Sequence, residues 1–170
     1  WGWSTADNVL ADGAVESSQR VWVKLPVVTF DQPGARMLAS TYWRQVRASL
    51  HGLIRIDERA SGTRVQVAAG PVLLAFAPVR VEVDDQRVTA VHDITGGILS
   101  RQPTGSISFS QTQLEDRVRL ESAITDFHPT LAARPGAPAF TGELYKRVQA
   151  TLHVAISRDY FHRLIVEAQQ

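Results

Sequence analysis

The sequence predicts an α+β domain: a curved antiparallel β-meander of about seven strands gripping one long C-terminal helix, with a short helical segment after strand 1. Three observations carry this. Between Leu53 and Phe127, short β-branched runs are separated by turn signals such as Ser61-Gly62 and Gly70-Pro71. From Thr141 to about residue 167, the apolar positions Leu144, Tyr145, Val148, Leu152, Ala155, Ile156, Tyr160 and Leu164 keep helical spacing without Pro or an internal Gly. Between the first strand and the meander, residues 34–50 also carry a helical period.

The elements follow in order. Residues 1–20 read as an N-terminal extension in which Ser4 and Thr5 cap a short helical turn through Leu10, stopped by Gly13; Trp1 and Trp3 pack on the domain. Residues 21–127 form the sheet with the inserted helix. The first strand runs from Arg20 to Phe30, with Val21, Val23 and Leu25 on one face and a disturbance at Pro26. Asp31 is placed to cap the helix 34–50, with Pro33 in its first turn. Met37, Leu38, Thr41, Tyr42, Gln45, Val46 and Ser49 share its apolar face, and Gly52 ends the element. Strands are then expected at Leu53–Glu58, Thr63–Ala69, Val72–Val83 and Arg87–Thr95, with a bulge at Gly96-Gly97. A last hairpin comprises Gly105–Gln111 and Arg117–Phe127; in the latter, Val118, Leu120, Ser122 and Ile124 face one way and Arg117, Arg119 and Glu121 the other. A Pro-rich loop over 129–140 leads to the helix 141–167, with Thr141 as its N-cap. Consecutive strands joined by short turns imply antiparallel pairing, and an amphipathic helix of that length must lie across the sheet. Such a grip leaves room for a cavity.

Composition bounds the function. The chain has 170 residues, 44% hydrophobic, enough for one domain with a sizeable core: 1–170 reads as a single unit. Eighteen Lys plus Arg against 17 Asp plus Glu give a net charge of +1, which lacks the positive balance of a dedicated nucleic-acid binder. Acidic residues interleave with Arg55, Arg64, Arg80, Arg87, Arg117 and Arg119, so these arginines read as a solvated sheet surface. With no cysteine, disulfides, thiolate metal sites and cysteine nucleophiles are excluded. The longest apolar run, Ala68–Val79, is interrupted by Gly70, Pro71 and Pro78 and falls short of the ~20 residues of a membrane span, so no stable membrane insertion is expected. The expected location is cytoplasmic; the start at Trp1 rather than Met leaves a trimmed N-terminus or a removed signal peptide open. Phosphate-cradling, dinucleotide-binding and nucleophile-elbow motifs are missing, and no cofactor is expected.

The order of elements resembles the helix-grip order of the START/birch-pollen-allergen (SRPBCC) superfamily. A narrower likeness rests on Gly70-Pro71-Val72 through Ala77-Pro78-Val79-Arg80-Val81, on Gln102-Pro103-Thr104-Gly105 before Ile107 and Phe109, on Phe127-His128-Pro129, and on Tyr145, Gln149 and Arg158-Asp159-Tyr160. These residues, spread over roughly 63–165, resemble a bacterial subfamily of that superfamily. The chain departs from that pattern at Gln102, where the subfamily tends to His, at Ile107, where it has an acidic residue, and at His128, where it has Arg. The resemblance implies binding of a lipid, steroid, polyketide or similar apolar molecule, or cyclase, aromatase or hydrolase activity, and fold alone does not choose among these.

Candidate chemistry is sparse. If Val88, Ala90 and Ile94 face inward, alternation turns His92 inward, where it serves as a general base or a ligand anchor; otherwise it is an inert, hydrogen-bonded His at the sheet mouth. Asp126 shares the face of Ser122; it is either a second catalytic group, paired with Arg101 or a Tyr hydroxyl, or a turn-capping residue beside Pro129. Tyr145, Gln149, His153 and Tyr160 form a stripe on the long helix that is either a set of ligand anchors or a polar boundary. Met37, Tyr42 and Trp43 either close one end of the cavity or belong to the core, and Phe76 and Phe109 line the cavity or fill the core. The candidate ligand-binding set is therefore Trp43, Phe76, Phe109, Ser122, Tyr145, Gln149 and Tyr160. No metal site is expected: His153 and His162 lack a zincin-like spacing and an acidic complement. Three functions stay open: carriage of a lipid, polyketide or terpenoid-like molecule, cofactor-independent cyclase, dehydratase or isomerase chemistry through His92 or Asp126, and an interaction domain with a filled core. Oligomeric state is not legible.

Overall fold

The computed structural model describes residues 2–130 and 155–169. Among the described residues nine strands form one sheet, and every strand pair there is antiparallel. They are β1 (Gly2–Val9), β2 (Val15–Val23), β3 (Ile54–Arg59), β4 (Gly62–Val67), β5 (Val72–Phe76), β6 (Arg80–Val83), β7 (Arg87–Gly96), β8 (Ser106–Gln113) and β9 (Val118–Phe127). The order across the sheet is β1-β2-β9-β8-β7-β5-β4-β3, with β6 also on β7. Helix α1 (Gln32–Ser49) follows β2, and helix α2 (Ile156–Glu167) lies near the C-terminus. This is the predicted α+β, helix-grip order. Of the expected helix 141–167, residues 141–154 fall outside the described residues, among them Tyr145, Gln149 and His153.

Local chemistry sets the boundaries of α1. Asp31 is the N-cap: its carboxylate accepts from Gly34 N at 2.7 Å and from Thr29 Oγ1 at 2.6 Å. Gly34 is required there because a Cβ would lie 1.9 Å from the Thr29 carbonyl oxygen. The chain leaves the helix through Leu50 and turns at Gly52, which sits at φ +79°. The buried arc comprises Ala35, Leu38, Ala39, Thr41, Tyr42, Trp43, Gln45 and Val46. Met37, expected on that face, is exposed instead. The arc centres on Leu38, Tyr42 and Val46 because α1 is covered by the sheet on one side and by α2 on the other.

Three expectations at the strands are corrected. Residues 2–9 carry no helical turn from Ser4; they form edge strand β1, paired throughout with β2 from Gly2↔Trp22 to Val9↔Val15. The first sheet strand of the core is Val15–Val23 rather than Arg20–Phe30. Beyond Val23, the side-chain amide of Gln111 replaces the ladder. Its Oε1 accepts from Val27 N at 2.7 Å and Val28 N at 3.1 Å, and its Nε2 donates to the Val28 carbonyl at 2.8 Å. Leu25 is consequently 76% exposed. The expected strand Val72–Val83 is divided at Ala77-Pro78-Val79, where Pro78 has no N–H to donate. Both halves use the same edge of β7: β6 pairs with Val88–Val91, and β5 with Ile94 and Gly96. Gly96 and Gly97 take φ of +155° and +113° there, and a Cβ on Gly97 would lie 2.3 Å from the Leu73 carbonyl oxygen.

The outer charges pair as the interleaving predicts. Arg80 grips Asp93 with two hydrogen bonds of 2.6 and 3.0 Å, Arg20 reaches Glu121 at 2.8 Å, and Arg59 reaches Asp57 at 2.7 Å. The guanidinium groups hold the Asp93 and Asp57 carboxyls below the usual carboxylate range. No helix among the described residues is long and apolar enough to cross a membrane.

Candidate functional site

The strand registers define the inner face, which α1 covers. One row across it reads Ser17↔Ile124↔Ile107↔His92; the next reads Gln19↔Ser122↔Phe109↔Ala90. Alternation along β7 buries Val88, Ala90, His92 and Ile94 together, and His92 is only 4% exposed. His92 faces Trp43 on α1, whose indole Nε1–H donates to His92 Nε2 at 3.2 Å. The ring also stands edge-on to Phe76, with centroids 6.0 Å apart. Because Nε2 accepts, the neutral imidazole carries its proton on Nδ1. That Nδ1–H is buried and makes no hydrogen bond of normal length among the described residues; the Ala77 backbone is the polar group that comes nearest to serving it. Burial lowers the His92 pKa from its ordinary value; the Ala77 backbone and the charges of Glu58 and Asp93 oppose the shift only in part. His92 is therefore held as a neutral hydrogen-bond donor in an aromatic wall.

The remaining aromatic candidates pack against one another. Tyr42 lies 4.4 Å from Phe109 and 5.5 Å from Tyr160, centroid to centroid, and Phe109 lies 5.6 Å from Tyr160. Trp43 and Phe76 are 5.3 Å apart. Trp43, Phe76, Phe109 and Tyr160 are all buried. Burial pushes the Tyr42 and Tyr160 hydroxyls up, so both stay neutral. Met37 is not part of this closure.

At the β2–β9 side the inner face becomes polar. Ser157 on α2 donates to Gln19 Oε1 at 3.0 Å, Gln19 Nε2 donates to Ser17 Oγ at 3.0 Å, and Ser17 donates to Asp7 Oδ1 at 2.5 Å. Ser17, Gln19 and Ser157 are buried, as is Ser122, the cross-strand partner of Gln19. Gln19 and Ser157 escaped sequence reading. Their signal was available: once β2 starts at Val15, Ser17 and Gln19 alternate with Val21 on the inner face.

Asp126 does not join His92. It sits exposed at the end of β9, in the left-handed region at φ +49°, with its carboxylate 3.8 Å from His128 Nδ1. No Arg or Lys pairs with it among the described residues, so the pairing with Arg101, one of the two alternatives for this residue, is not formed. Its neighbour His128 is buried and lies beside Asp12 and Thr104. One polar atom each of Asp12, Asp126 and His128 lies within 4.8 Å of the other two, a grouping not evident in the sequence.

No protein-family model matches the chain, and no curated protein matches it by sequence. Solved structures similar to it include the crystal structure of CalU16 from Micromonospora echinospora, at 10% identity and TM-score 0.30, covering 99% of this chain and 98% of that one. The solution structure of CalU16 is similar at 12% identity and TM-score 0.32, covering 94% and 96%. Ara h 8.0201 is similar at 13% identity and TM-score 0.39, covering 95% and 99%. Likenesses of this strength assign no function to the chain.

Proposed function

We propose that the chain binds an apolar small molecule of lipid, polyketide or terpenoid character that carries a carbonyl or similar acceptor, lying against the inner face of the sheet with His92 Nδ1–H as its polar anchor. The observation that supports this is the buried Nδ1–H, which makes no hydrogen bond of normal length among the described residues, the Ala77 backbone offsetting its burial only in part. An unsatisfied buried donor costs roughly 1–3 kcal/mol, a cost an acceptor on a bound molecule would remove. Apolar neighbours surround the anchor: Ile107, Phe76 and Ile94 beside it, with Ser122 as a second polar contact two strands away. Affinity would come mainly from apolar burial at ~25 cal/mol per Å², less the cost of ordering.

Turnover through His92 as a base has less support. The ring nitrogen with the lone pair is Nε2, and Trp43 occupies it. A donor role toward a developing oxyanion fits the same geometry, and that is the form in which a cyclase, dehydratase or isomerase reading survives.

The test is native mass spectrometry of freshly purified protein, followed by extraction and thermal melts against a panel of carbonyl-bearing lipids, polyketides and terpenoids. One apolar compound per chain, or a raised Tm with panel members, is expected. His92→Phe should weaken that binding about three- to tenfold, the worth of one hydrogen bond. An empty protein that no panel member stabilises overturns the reading and leaves an interaction domain with a filled core.

A further inference from the structure

We propose that the outer edge of β1 is an interface on which a second copy of this chain pairs, strand against strand, about a two-fold axis at Ala6. Among the described residues β1 pairs only with β2, so its other edge ends the sheet. The β1–β2 turn fixes which backbone groups lie on that edge. Leu10 N donates to the Ala14 carbonyl at 2.8 Å, which makes Leu10 and Ala14 a hydrogen-bonded pair. The register continues from there to Gly2↔Trp22 without a shift. Hydrogen-bonded and non-hydrogen-bonded pairs alternate, so Asn8, Ala6, Ser4 and Gly2 bond to β2. The N–H and C=O groups of Val9, Asp7, Thr5 and Trp3 point the other way, along the free edge. None of these groups bonds to another segment among the described residues.

Two features point to a second copy as the occupant. The first is the contrast between the two ends of the sheet. The opposite edge strand, β3, carries Arg55, Asp57, Glu58 and Arg59, charge of the kind that opposes edge-to-edge pairing. Strand β1 is longer, has no Lys, Pro or bulge, and its one charged side chain is Asp7. The second feature is self-complementarity. Alternation puts Trp3, Thr5, Asp7 and Val9 on the side of the sheet where Ser17 donates to Asp7. Trp3 is 37% exposed and Val9 70%. An antiparallel pairing centred on Ala6 sets Val9 opposite the partner's Trp3 and Asp7 opposite the partner's Thr5. Both exposed apolar side chains are then covered. The Thr5 hydroxyl accepts from Trp3 Nε1 at 3.1 Å and keeps its own proton to donate to the facing carboxylate. Pairings centred on Ser4 or Thr5 leave Val9 uncovered, and one centred on Asp7 sets two carboxylates directly opposite, which is unfavourable. In the Ala6 register four residue pairs exchange about eight main-chain hydrogen bonds, the source of affinity in strand addition. Trp3 packs edge-on to Phe161 of α2, centroids 5.8 Å apart, so the two α2 helices lie at opposite ends of the shared edge and do not collide.

The experiment is sedimentation of the full chain over a range of concentrations, and a concentration-dependent dimer is expected. Thr5→Pro removes a donor that faces the partner and leaves the β2 ladder intact. The two-fold axis doubles that loss, which should raise the dimer dissociation constant roughly ten- to a hundredfold. Val9→Glu, at a side chain open to solvent in the single chain, should raise it about tenfold. Leu53→Glu, at an exposed side chain beside the opposite edge, should leave it unchanged. Register is read by cross-linking. The chain has no cysteine, so Ala6→Cys supplies a single thiol. It meets its own copy across a non-hydrogen-bonded pair, at a Cα separation of about 4.5 Å that suits a disulfide. Mild oxidation should join two Ala6→Cys chains, and should not join two Ser4→Cys chains. A chain that sediments as a monomer at every concentration overturns the proposal, including the case in which the edge serves an extended segment of some other protein. A dimer indifferent to Thr5→Pro and Val9→Glu overturns it as well, and cross-linking through Ser4→Cys in place of Ala6→Cys overturns the register.

Discussion

At the α1 end of the inner face, Tyr42, Trp43, Phe76, Phe109 and Tyr160 pack ring against ring. At the β2–β9 end, the same depth of burial is occupied by Ser17, Gln19, Ser122 and Ser157. The aromatic end gains from area and close contact, and its geometry tolerates small errors in direction. The polar end gains little net energy, because each hydrogen bond replaces one to water, yet it penalises any displacement that leaves a donor or acceptor unpaired. The aromatic end therefore carries stability, while the polar end fixes where α2 sits. His92 is where the two chemistries meet: a polar ring held in the aromatic wall by Trp43.

The sharpest way to break this contrast is Phe109→Ala. Phe109 is fully buried between Tyr42 and Tyr160, and its removal should cost about 3–5 kcal/mol in urea unfolding. A cost near 1 kcal/mol would mean that the rings collapse freely into the space and that the end is loosely packed.

Gln19→Leu probes the polar end. It keeps the volume but leaves the Ser157 hydroxyl without its acceptor, a loss that should cost about 1–2 kcal/mol, while Ser17 keeps Asp7. Hydrogen exchange in α2 should quicken more than in α1. Equal quickening in both helices would remove the distinction between an end that stabilises and an end that positions.

The smallest effect concerns pH. The unfolded chain protonates His92 near its ordinary value of 6.5, whereas burial keeps the folded form neutral to lower pH. The unfolded state then binds more protons, so stability present above 6.5 erodes as pH falls below it, by at most about 1.4 kcal/mol per pH unit. His92→Gln should flatten that limb. An unchanged pH dependence between 6.5 and 5 would assign the loss to other groups.

Much of the fold was legible because its causes are local. The Asp31 cap, the helix it starts and the alternation of Val118, Leu120 and Ser122 depend on residues a few positions apart, and the spacing of 2.0 or 3.6 residues reports them directly. The inward turn of His92 belongs here too, since it follows from Val88, Ala90 and Ile94. What escaped depends on contacts between distant segments. β1 reads as a polar, mixed stretch because neither of its faces is buried. Gln111 looks like an ordinary strand residue until the loop 27–28 arrives, 83 or 84 positions away, to use its amide. The division at Pro78 depends on β7 being long enough to pair with both halves.

The sequence by itself determined the α+β class, the meander, the cap and extent of α1, and which residues of β7 and β9 turn inward, because backbone sterics and hydrophobic period act over a few residues. Only the tertiary structure decided that β2 pairs with β9, that Asp126 lies outside rather than beside His92, and that Asp12 meets His128 across 116 positions of chain. Those decisions belong to packing. Closing loops of that length costs entropy that no local pattern announces, and only the assembled core offsets it.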